Sequence, residues 1–300
     1  MARALRRKNR IRMTRADIIY QIIIYTLVTL ITLSCLVPLL YVVGMSFTSE
    51  GEMIQKNYFV IIPEQPTTSA YRYVFNQDNF WNSMLISVAR TLLGVMAMLI
   101  FVVPGGYIMA KHDMPGNKPI MMFFIITMLI QGGLIPGYML MKDLGLLNTF
   151  WVYIVPAFGG VYNMLIVKIF VENIPGDIVE SADLDGATEL QKMILIAVPL
   201  LVPTICALSL FSAVGHWNSW FDAMLYVRDP KIQPVQLLIR NLMTASVSDT
   251  QNMNMTAFQK MTPEGLKMAC VVVAMAPILC VYPFLQKYFI FGMYTGSVKG

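Results

Sequence analysis

The sequence is poor in charge and in the side chains on which most catalytic and metal sites depend. Only 13% of the 300 residues are Asp, Glu, Lys or Arg, whereas soluble domains contain roughly 25%. The two histidines, His112 and His216, lie far apart, and neither has a partner at ligand spacing. No nucleophile–base pair and no glycosidase-type pair of carboxylates stands out. We therefore predict that the chain is not an enzyme and holds no metal.

Cysteine is scarce as well, and its positions argue against redox chemistry. No C-x-x-C pair occurs, and all four cysteines lie within apolar runs: Cys35, Cys206, Cys270 and Cys280. We interpret them as small buried hydrophobic residues. The phosphate-binding pattern G-x-x-x-x-G-K-[ST] is also missing from the sequence. The chain therefore cannot bind ATP by that route, and we expect no cofactor within it.

Hydrophobic residues are abundant, since they make up 57% of the chain and give a mean hydropathy of +0.62. They are gathered into runs long enough to cross a bilayer. The fourth run has 22 residues, or about 33 Å as a helix, against about 30 Å of hydrocarbon. We predict an all-α membrane protein with six transmembrane helices, at 18–45, 80–110, 120–140, 150–171, 193–215 and 268–290.

The basic N-terminal tail, residues 1–17, indicates the orientation. It carries seven basic residues and one acid, directly before a first apolar run of 28 residues that is too long for a signal peptide. A basic arm in that place orients a first span, which argues against a nucleic-acid-binding arm. We expect both termini in the cytoplasm, a six-span domain at 18–291, a long outer loop at 216–267 and an inner tail at 292–300.

The rest of the lysine and arginine distribution is less decisive. On this topology 13 of these residues lie inside and eight outside. Without the N-terminal tail the numbers are six and eight. The predicted orientation therefore depends on the first span, which ordinarily dominates.

Between the fourth and fifth runs lies an acidic loop, residues 172–192, with six acids and one base. The pattern predicts a short helix within it. Pro175 precedes the helix, Asp177 can cap it, and Glu180 follows three residues later in a capping-box pattern. Gly186 is expected to end this helix or to bend it into the next one.

This short helix has a small apolar face, formed on a helical wheel by Ile178, Val179, Ala182 and Gly186. Such a face lets a partner approach closely, and the flanking acids could meet basic groups there. The alternative is a solvated loop with a surface helix, because runs of charge ordinarily face solvent.

The same stretch resembles the EAA loop of ABC importer permeases, whose pattern is E-A-A, three residues, G, nine residues, I, one residue, L-P. The matching positions are Glu180-Ser181-Ala182, Gly186, Ile196 and Val198-Pro199, with Ser181 in place of Ala and Val198 in place of Leu. The resemblance implies a type I ABC importer permease fold and a cytoplasmic coupling helix that docks in a groove of an ATPase subunit. The docking residues that it implies are Asp177, Glu180, Ser181, Ala182, Asp183 and Gly186.

Four further stretches are similar to the carbohydrate branch of that family, the branch of the maltose permease subunits: 131–136, 145–149, 217–222 and 286–300. In detail they are similar to the complex-saccharide subgroup, which includes the alginate importer. The resemblance implies a subunit of the bacterial plasma membrane that imports oligosaccharides by alternating access. The partners implied are a second permease subunit, two ATPase subunits that bind ATP and Mg, an extracytoplasmic sugar-binding protein and membrane lipid, with no nucleic acid.

The sequence says less about contacts with a sugar. The candidates for contact with substrate or with the binding protein are Asn163, Trp217, Asn218, Trp220 and Asp222. The two tryptophans could stack on a sugar ring or belong to the aromatic belt of the membrane interface. Asn163 could line a path or join two helices.

Arg90 and Lys168 are ionisable groups within the predicted spans. Because a charge at the bilayer centre costs on the order of 3 kcal/mol, Arg90 should face protein or water, or snorkel toward the surface. An ATP-independent secondary transporter or channel is the alternative function, and it would need relays of such groups. Their scarcity in the spans disfavours it.

Overall fold

The computed structural model describes residues 14–130, 132–248 and 262–297. Within these ranges every element of regular secondary structure is helical, which confirms the all-α prediction. In chain order the elements are α1 (Arg15–Ser46), α2 (Glu50–Gln55), α3 (Ser69–Phe75), α4 (Phe80–Met109), α5 (Asn117–Leu129), α6 (Leu134–Asp143), two 3₁₀ turns (Phe150–Tyr153 and Val155–Gly159), α7 (Val161–Glu172), α8 (Gly176–Leu184), α9 (Glu189–Gln191), a π turn (Lys192–Ala197), α10 (Val198–Asn218), α11 (Phe221–Tyr226), a 3₁₀ turn (Pro230–Ile232), α12 (Val235–Ser248) and α13 (Pro263–Ser297).

Four helices of the described residues are long and apolar enough to cross a membrane: Arg15–Ser46, Phe80–Met109, Glu189–Asn218 and Pro263–Val281. Two further candidates are broken helix pairs, so the number of spans is between four and six by length and composition. The prediction of six spans therefore stays a prediction. Residues 1–13 of the predicted basic tail (1–17) and residues 298–300 of the predicted inner tail (292–300) lie outside the described residues.

The third and fourth predicted spans are each divided into two helical parts. The third is divided into α5 and α6, and Pro136 lies in the first turn of α6, where a missing N–H costs little. The fourth is divided into a 3₁₀ stretch, Phe150–Gly159, and α7, which meet at 41°. Gly160, which separates these two parts, is not helical.

Residues 14–70 and 262–269 belong to one compact unit. Its apolar core contains Met45, Met53 and Val60. The loop that follows α2 is organised by Glu52, which is 8% exposed and accepts hydrogen bonds from the backbone N–H groups of Glu64 (2.8 Å) and Gln65 (3.3 Å). These bonds, the one from Glu64 above all, and the nearby Lys56 lower the pKa of Glu52 below its ordinary value.

The remaining described residues form a second unit, in which α4 packs between α7 and α10. Its apolar core includes Met98 and Val102 of α4, Met164 of α7 and Leu201 of α10. Close packing of α4 on α7 depends on glycine, because a Cβ at Gly106 would lie 2.6 Å from a methyl group of Val167. Small residues are the usual means of such close approach between membrane helices.

The helix Glu189–Asn218 contains the π turn just before its first proline. Val198 N–H bonds to the carbonyl of Met193, five residues back. Pro199 cannot donate to the carbonyl of Leu195, so the wider pairing lies where the helical pattern is already broken. Pro203 lies further along the same helix, so the π turn and the two prolines are all within its first half.

Candidate functional site

The acidic loop contains the short helix that the sequence predicted, but its first turn differs. α8 begins at Gly176, with Pro175 in the capping position and no side-chain hydrogen bond at the cap. The prediction that Asp177 caps the helix in a capping box with Glu180 is therefore wrong. Asp177 instead lies inside the first turn, where a carboxylate is stabilised by the positive end of the helix dipole.

The other end of α8 is formed by Gly186, as the sequence predicted. Gly186 has φ +75°, in the left-handed region that glycine adopts without strain. Its N–H bonds to the carbonyl of Asp183 (3.1 Å), and the N–H of Ala187 bonds to that of Ala182 (2.9 Å). This pair of bonds is a Schellman motif, which satisfies two of the free carbonyls at the helix end.

Thr188 starts the next helix by a capping box that the sequence analysis missed. Its hydroxyl accepts from the N–H of Gln191, and its own N–H donates to the Gln191 side chain at 2.8 Å. The order Thr-x-x-Gln, which begins two residues after Gly186, was the signal that could have predicted it. The chain therefore makes a tight, defined turn between α8 and the helix Glu189–Asn218.

The two sides of α8 have different environments. Ala182 is 8% exposed, and Val179 lines a cavity shared with α4 and the helix Glu189–Asn218. On the other side Leu184 is 90% exposed. Three candidate docking residues, Asp177, Glu180 and Ser181, are also exposed. Gly186 has no atom within 4 Å of the position that a Cβ would take.

A network of charged side chains holds the inner side of α8. Lys192, whose side chain is 7% exposed, pairs with Asp183 of α8 and with Glu189 at 2.6 Å. Glu189 also pairs with Lys111 and accepts a hydrogen bond from the Tyr107 hydroxyl at 3.0 Å. Within the described residues, Asp177, Glu180 and Asp185 have no ion pair. The acids of this loop thus fall into an inner, paired set and an outer, unpaired set.

A second charged site lies where α4 meets the loop after α10. Arg90 is 2% exposed, and its guanidinium donates to Asp222 at 2.5 Å and to the carbonyl of Ser219 at 3.2 Å. It also lies 4.3 Å from the centre of the Tyr153 ring. Of the alternatives for Arg90, the structure supports the one in which it faces protein.

Several candidates for substrate contact have partners within the chain. Asp222 is engaged by Arg90. Trp217 is 5% exposed, and its indole N–H donates to the carbonyl of Ala274 at 2.9 Å. Trp220 lies under the guanidinium of Arg240, 3.5 Å from ring centre to Cζ.

Asn163, by contrast, lines an open cavity of about 340 Å³ between α4, α7 and α10. Ser212 and His216 supply further polar groups to it, and Met98 and Phe211 are among its apolar lining residues. Asn218 is exposed and does not line this cavity. The structure therefore brings Asn163 to a cavity and does not bring the other four candidates to it.

Comparison with known proteins gives a family match over residues 5–293, to the binding-protein-dependent transport system inner membrane component. The chain belongs to this family. It is 36% identical over 283 residues to a polygalacturonan/rhamnogalacturonan transport system permease protein of Bacillus subtilis, covering 94% of this chain and 99% of that protein. It is 40% identical over 267 residues to the protein LplC of the same organism, covering 88% and 90%.

A solved structure has the same fold as this chain. It is that of a bacterial ABC transporter involved in the import of the acidic polysaccharide alginate, with 30% identity and a TM-score of 0.81 over 92% of this chain and 99% of that one. The prediction of an ABC importer permease of the carbohydrate branch is thus confirmed. The chain is a multi-pass membrane protein of the bacterial type, and its family is one of transport subunits.

Proposed function

We propose that this permease subunit imports oligosaccharides and receives the energy for transport from a partner ATPase through α8. The observation that carries the proposal is the division of α8 into an inner side held by ion pairs and an outer side with unpaired acids. Asp177 and Glu180 on the outer side are exposed, so their carboxylates are available to basic groups of a partner. The sequence has no nucleotide-binding pattern of its own, so ATP and Mg would be bound by the partner.

The docking surface that we propose consists of Asp177, Glu180, Ser181 and Gly186. The first three are exposed on α8, and the open space around Gly186 leaves room for a partner's backbone. Two other candidates contribute indirectly, by holding α8 in place. Ala182 is buried against the rest of the chain, and Asp183 pairs with Lys192.

The proposed cargo is an oligosaccharide, because the relatives named above transport polygalacturonan, rhamnogalacturonan and alginate. The cavity of about 340 Å³ next to Asn163 supports this, since its mixture of polar and apolar groups suits a sugar ring. Asn163, Ser212 and His216 are the groups that we propose for hydrogen bonds to sugar hydroxyls.

The rest of the proposal concerns the topology and the assembly, and the family match supports it. We propose six spans with both termini in the cytoplasm, a second permease subunit, two ATPase subunits and an extracytoplasmic sugar-binding protein. Closure of the ATPases would move α8, and the membrane helices would alternate between inward and outward access. A transporter without an ATPase is disfavoured, because Arg90 and Lys168 are held in ion pairs and form no relay.

The test is to isolate the complex from membranes of the native host and to ask whether an ATPase subunit stays bound. We expect Gly186→Trp to abolish ATPase retention and uptake while leaving membrane insertion intact. Gly145→Trp is a matched control, since Gly145 has φ +68° and equally open space but lies on a predicted outer turn. Gly186→Ala is a second control. It introduces the same backbone strain at a positive φ but only a small side chain, so it shows how much of the effect comes from strain alone. Full ATPase retention by Gly186→Trp would refute docking through this surface.

A further inference from the structure

Four charged side chains connect α8 to the ends of two membrane helices. We infer that Lys192 is a positioning residue, which makes α8, the end of α4 and the start of the helix Glu189–Asn218 move as one body. The inference rests on the proposed function, in which α8 receives the motion of an ATPase. It goes further by naming the residue that passes this motion to the membrane helices.

The position of Lys192 suits this role. It lies at the start of the π turn and is 7% exposed, so solvent and salt screen its interactions less than those of a surface lysine. Its ammonium group pairs with Asp183 on α8 and with Glu189 on its own helix at 2.6 Å. One side chain therefore joins the two helices on either side of the Gly186 turn.

Glu189 extends the connection to α4. One of its carboxylate oxygens meets Lys192, and the other accepts from the Tyr107 hydroxyl at 3.0 Å and pairs with Lys111. Two carboxylates and two ammonium groups make the network neutral. It spans residues that are 78 positions apart in the sequence, Lys111 and Glu189.

The packing around the network shows why these pairs matter. A cavity of about 160 Å³ lies between α4, the end of α7, α8 and the helix Glu189–Asn218, with Val179, Tyr107 and Ile196 among its lining residues. The apolar contacts between α8 and the membrane helices are interrupted at this cavity. The ion pairs at the edge of this cavity supply fixed connections where packing is missing.

The π turn gives the connection a further consequence. Lys192 fixes the part of its helix that precedes the turn, while Pro199 follows the turn and leaves the helix less regular there. Motion of α8 therefore acts on the helix Glu189–Asn218 at Lys192. This position precedes the segment around Pro199, where the helix bends most easily.

The first test measures coupling in the complete transporter, reconstituted in lipid vesicles, as sugar imported per ATP hydrolysed. Lys192→Met should keep the ATPase subunits bound and hydrolysis present, but lower this ratio about 5- to 20-fold. Lys192→Arg should restore most of it, because the guanidinium can still bridge two carboxylates. Lys168→Met is the matched control, since Lys168 pairs with Glu172 within a single helix, and its ratio should not change.

The second measurement follows the geometry directly. Spin labels at Leu184 of α8 and Ile108 of α4, both exposed, should give one narrow distance distribution in the wild-type complex. Lys192→Met should broaden it, and Lys192→Arg should not. If Lys192→Met fails to assemble, Asp183→Asn takes its place, because Asp183 is half exposed and its amide keeps the shape of the side chain.

An unchanged ratio together with an unchanged distance distribution in Lys192→Met, or in Asp183→Asn, would overturn the inference and leave docking through α8 intact. An equal fall of the import ratio in Lys168→Met would also overturn the inference. It would mean that loss of any lysine on the cytoplasmic side lowers the ratio. A wild-type complex that binds no ATPase would instead overturn the proposed function itself. The two failures are therefore distinguishable.

Discussion

Replacing Asp222 by alanine leaves the guanidinium of Arg90 charged, 2% exposed and without its carboxylate partner. Breaking a buried ion pair by removing one partner costs about 3–5 kcal/mol. The carbonyl of Ser219 and the ring of Tyr153 still contact the guanidinium, so we expect the lower end, about 3 kcal/mol. This is a large part of the stability of an ordinary domain.

The companion variants separate a stranded charge from a lost contact. Arg90→Met should cost less, about 1–2 kcal/mol, because Asp222 is 28% exposed and keeps hydrogen bonds from Ser219 and from the N–H of Ala223. The double variant Arg90→Met/Asp222→Ala should be more stable than Asp222→Ala alone, since it removes the charge that had no partner. A double variant that is more stable than one of its single variants shows that the two residues are strongly coupled.

The assay is unfolding of the purified protein in mixed micelles of a mild and a denaturing detergent, followed by tryptophan fluorescence. Trp217 is a buried reporter in the same region. Asp78→Ala, at an exposed aspartate, is the control and should lie within about 0.5 kcal/mol of the wild type. The reasoning is wrong if Asp222→Ala is as stable as this control, or if the double variant is the least stable of the set.

Three further predictions concern packing, the loop after α2 and the turn after α8. Gly106→Leu should destabilise the protein by about 1–3 kcal/mol, measured by the same assay, because even its Cβ would lie 2.6 Å from Val167; unchanged stability would contradict the close approach of α4 and α7. The lowered pKa of Glu52 means that its stabilising effect is present at neutral pH and is lost as pH falls through the folded-state pKa. The backbone N–H groups of Glu64 and Gln65 donate to Glu52. In the wild type their hydrogen exchange, relative to the intrinsic rate, should become faster in acid. Glu52→Gln should remove this dependence of the exchange rate on pH. Thr188→Ala should cost about 1 kcal/mol by loss of the capping box with Gln191, and no change in stability would show that this cap contributes nothing.

The parts of the site that follow from local sequence could be predicted. α8 and its end at Gly186 were predictable, because a left-handed glycine after a short acidic helix is a local signal. The capping box at Thr188 was equally local and could have been found. The capping position of α8 lies two residues earlier than predicted, at Pro175 rather than Asp177.

The parts that depend on distant residues could not be predicted in this way. Arg90 and Asp222 are 132 positions apart, and no periodicity connects them. Lys192 was visible as the lone base of the acidic loop, but its position between Asp183 and Glu189 needs the turn at Gly186. Pro136 indicates a kink or a helix end in the third predicted span, but the break lies before it, between Leu129 and Leu134. The break in the fourth span was not predicted, because hydrophobic length alone does not distinguish one helix from two.

The central claim is that the exposed side of α8 receives an ATPase, and it can be tested with a photo-cross-linking amino acid at Leu184 in the native host. Leu184 is 90% exposed on α8, and Leu144, 55% exposed on a predicted outer turn, is the control position. The account predicts a cross-linked product with an ATPase subunit from position 184 and none from 144. A product between position 184 and a protein of the cell exterior would contradict the account.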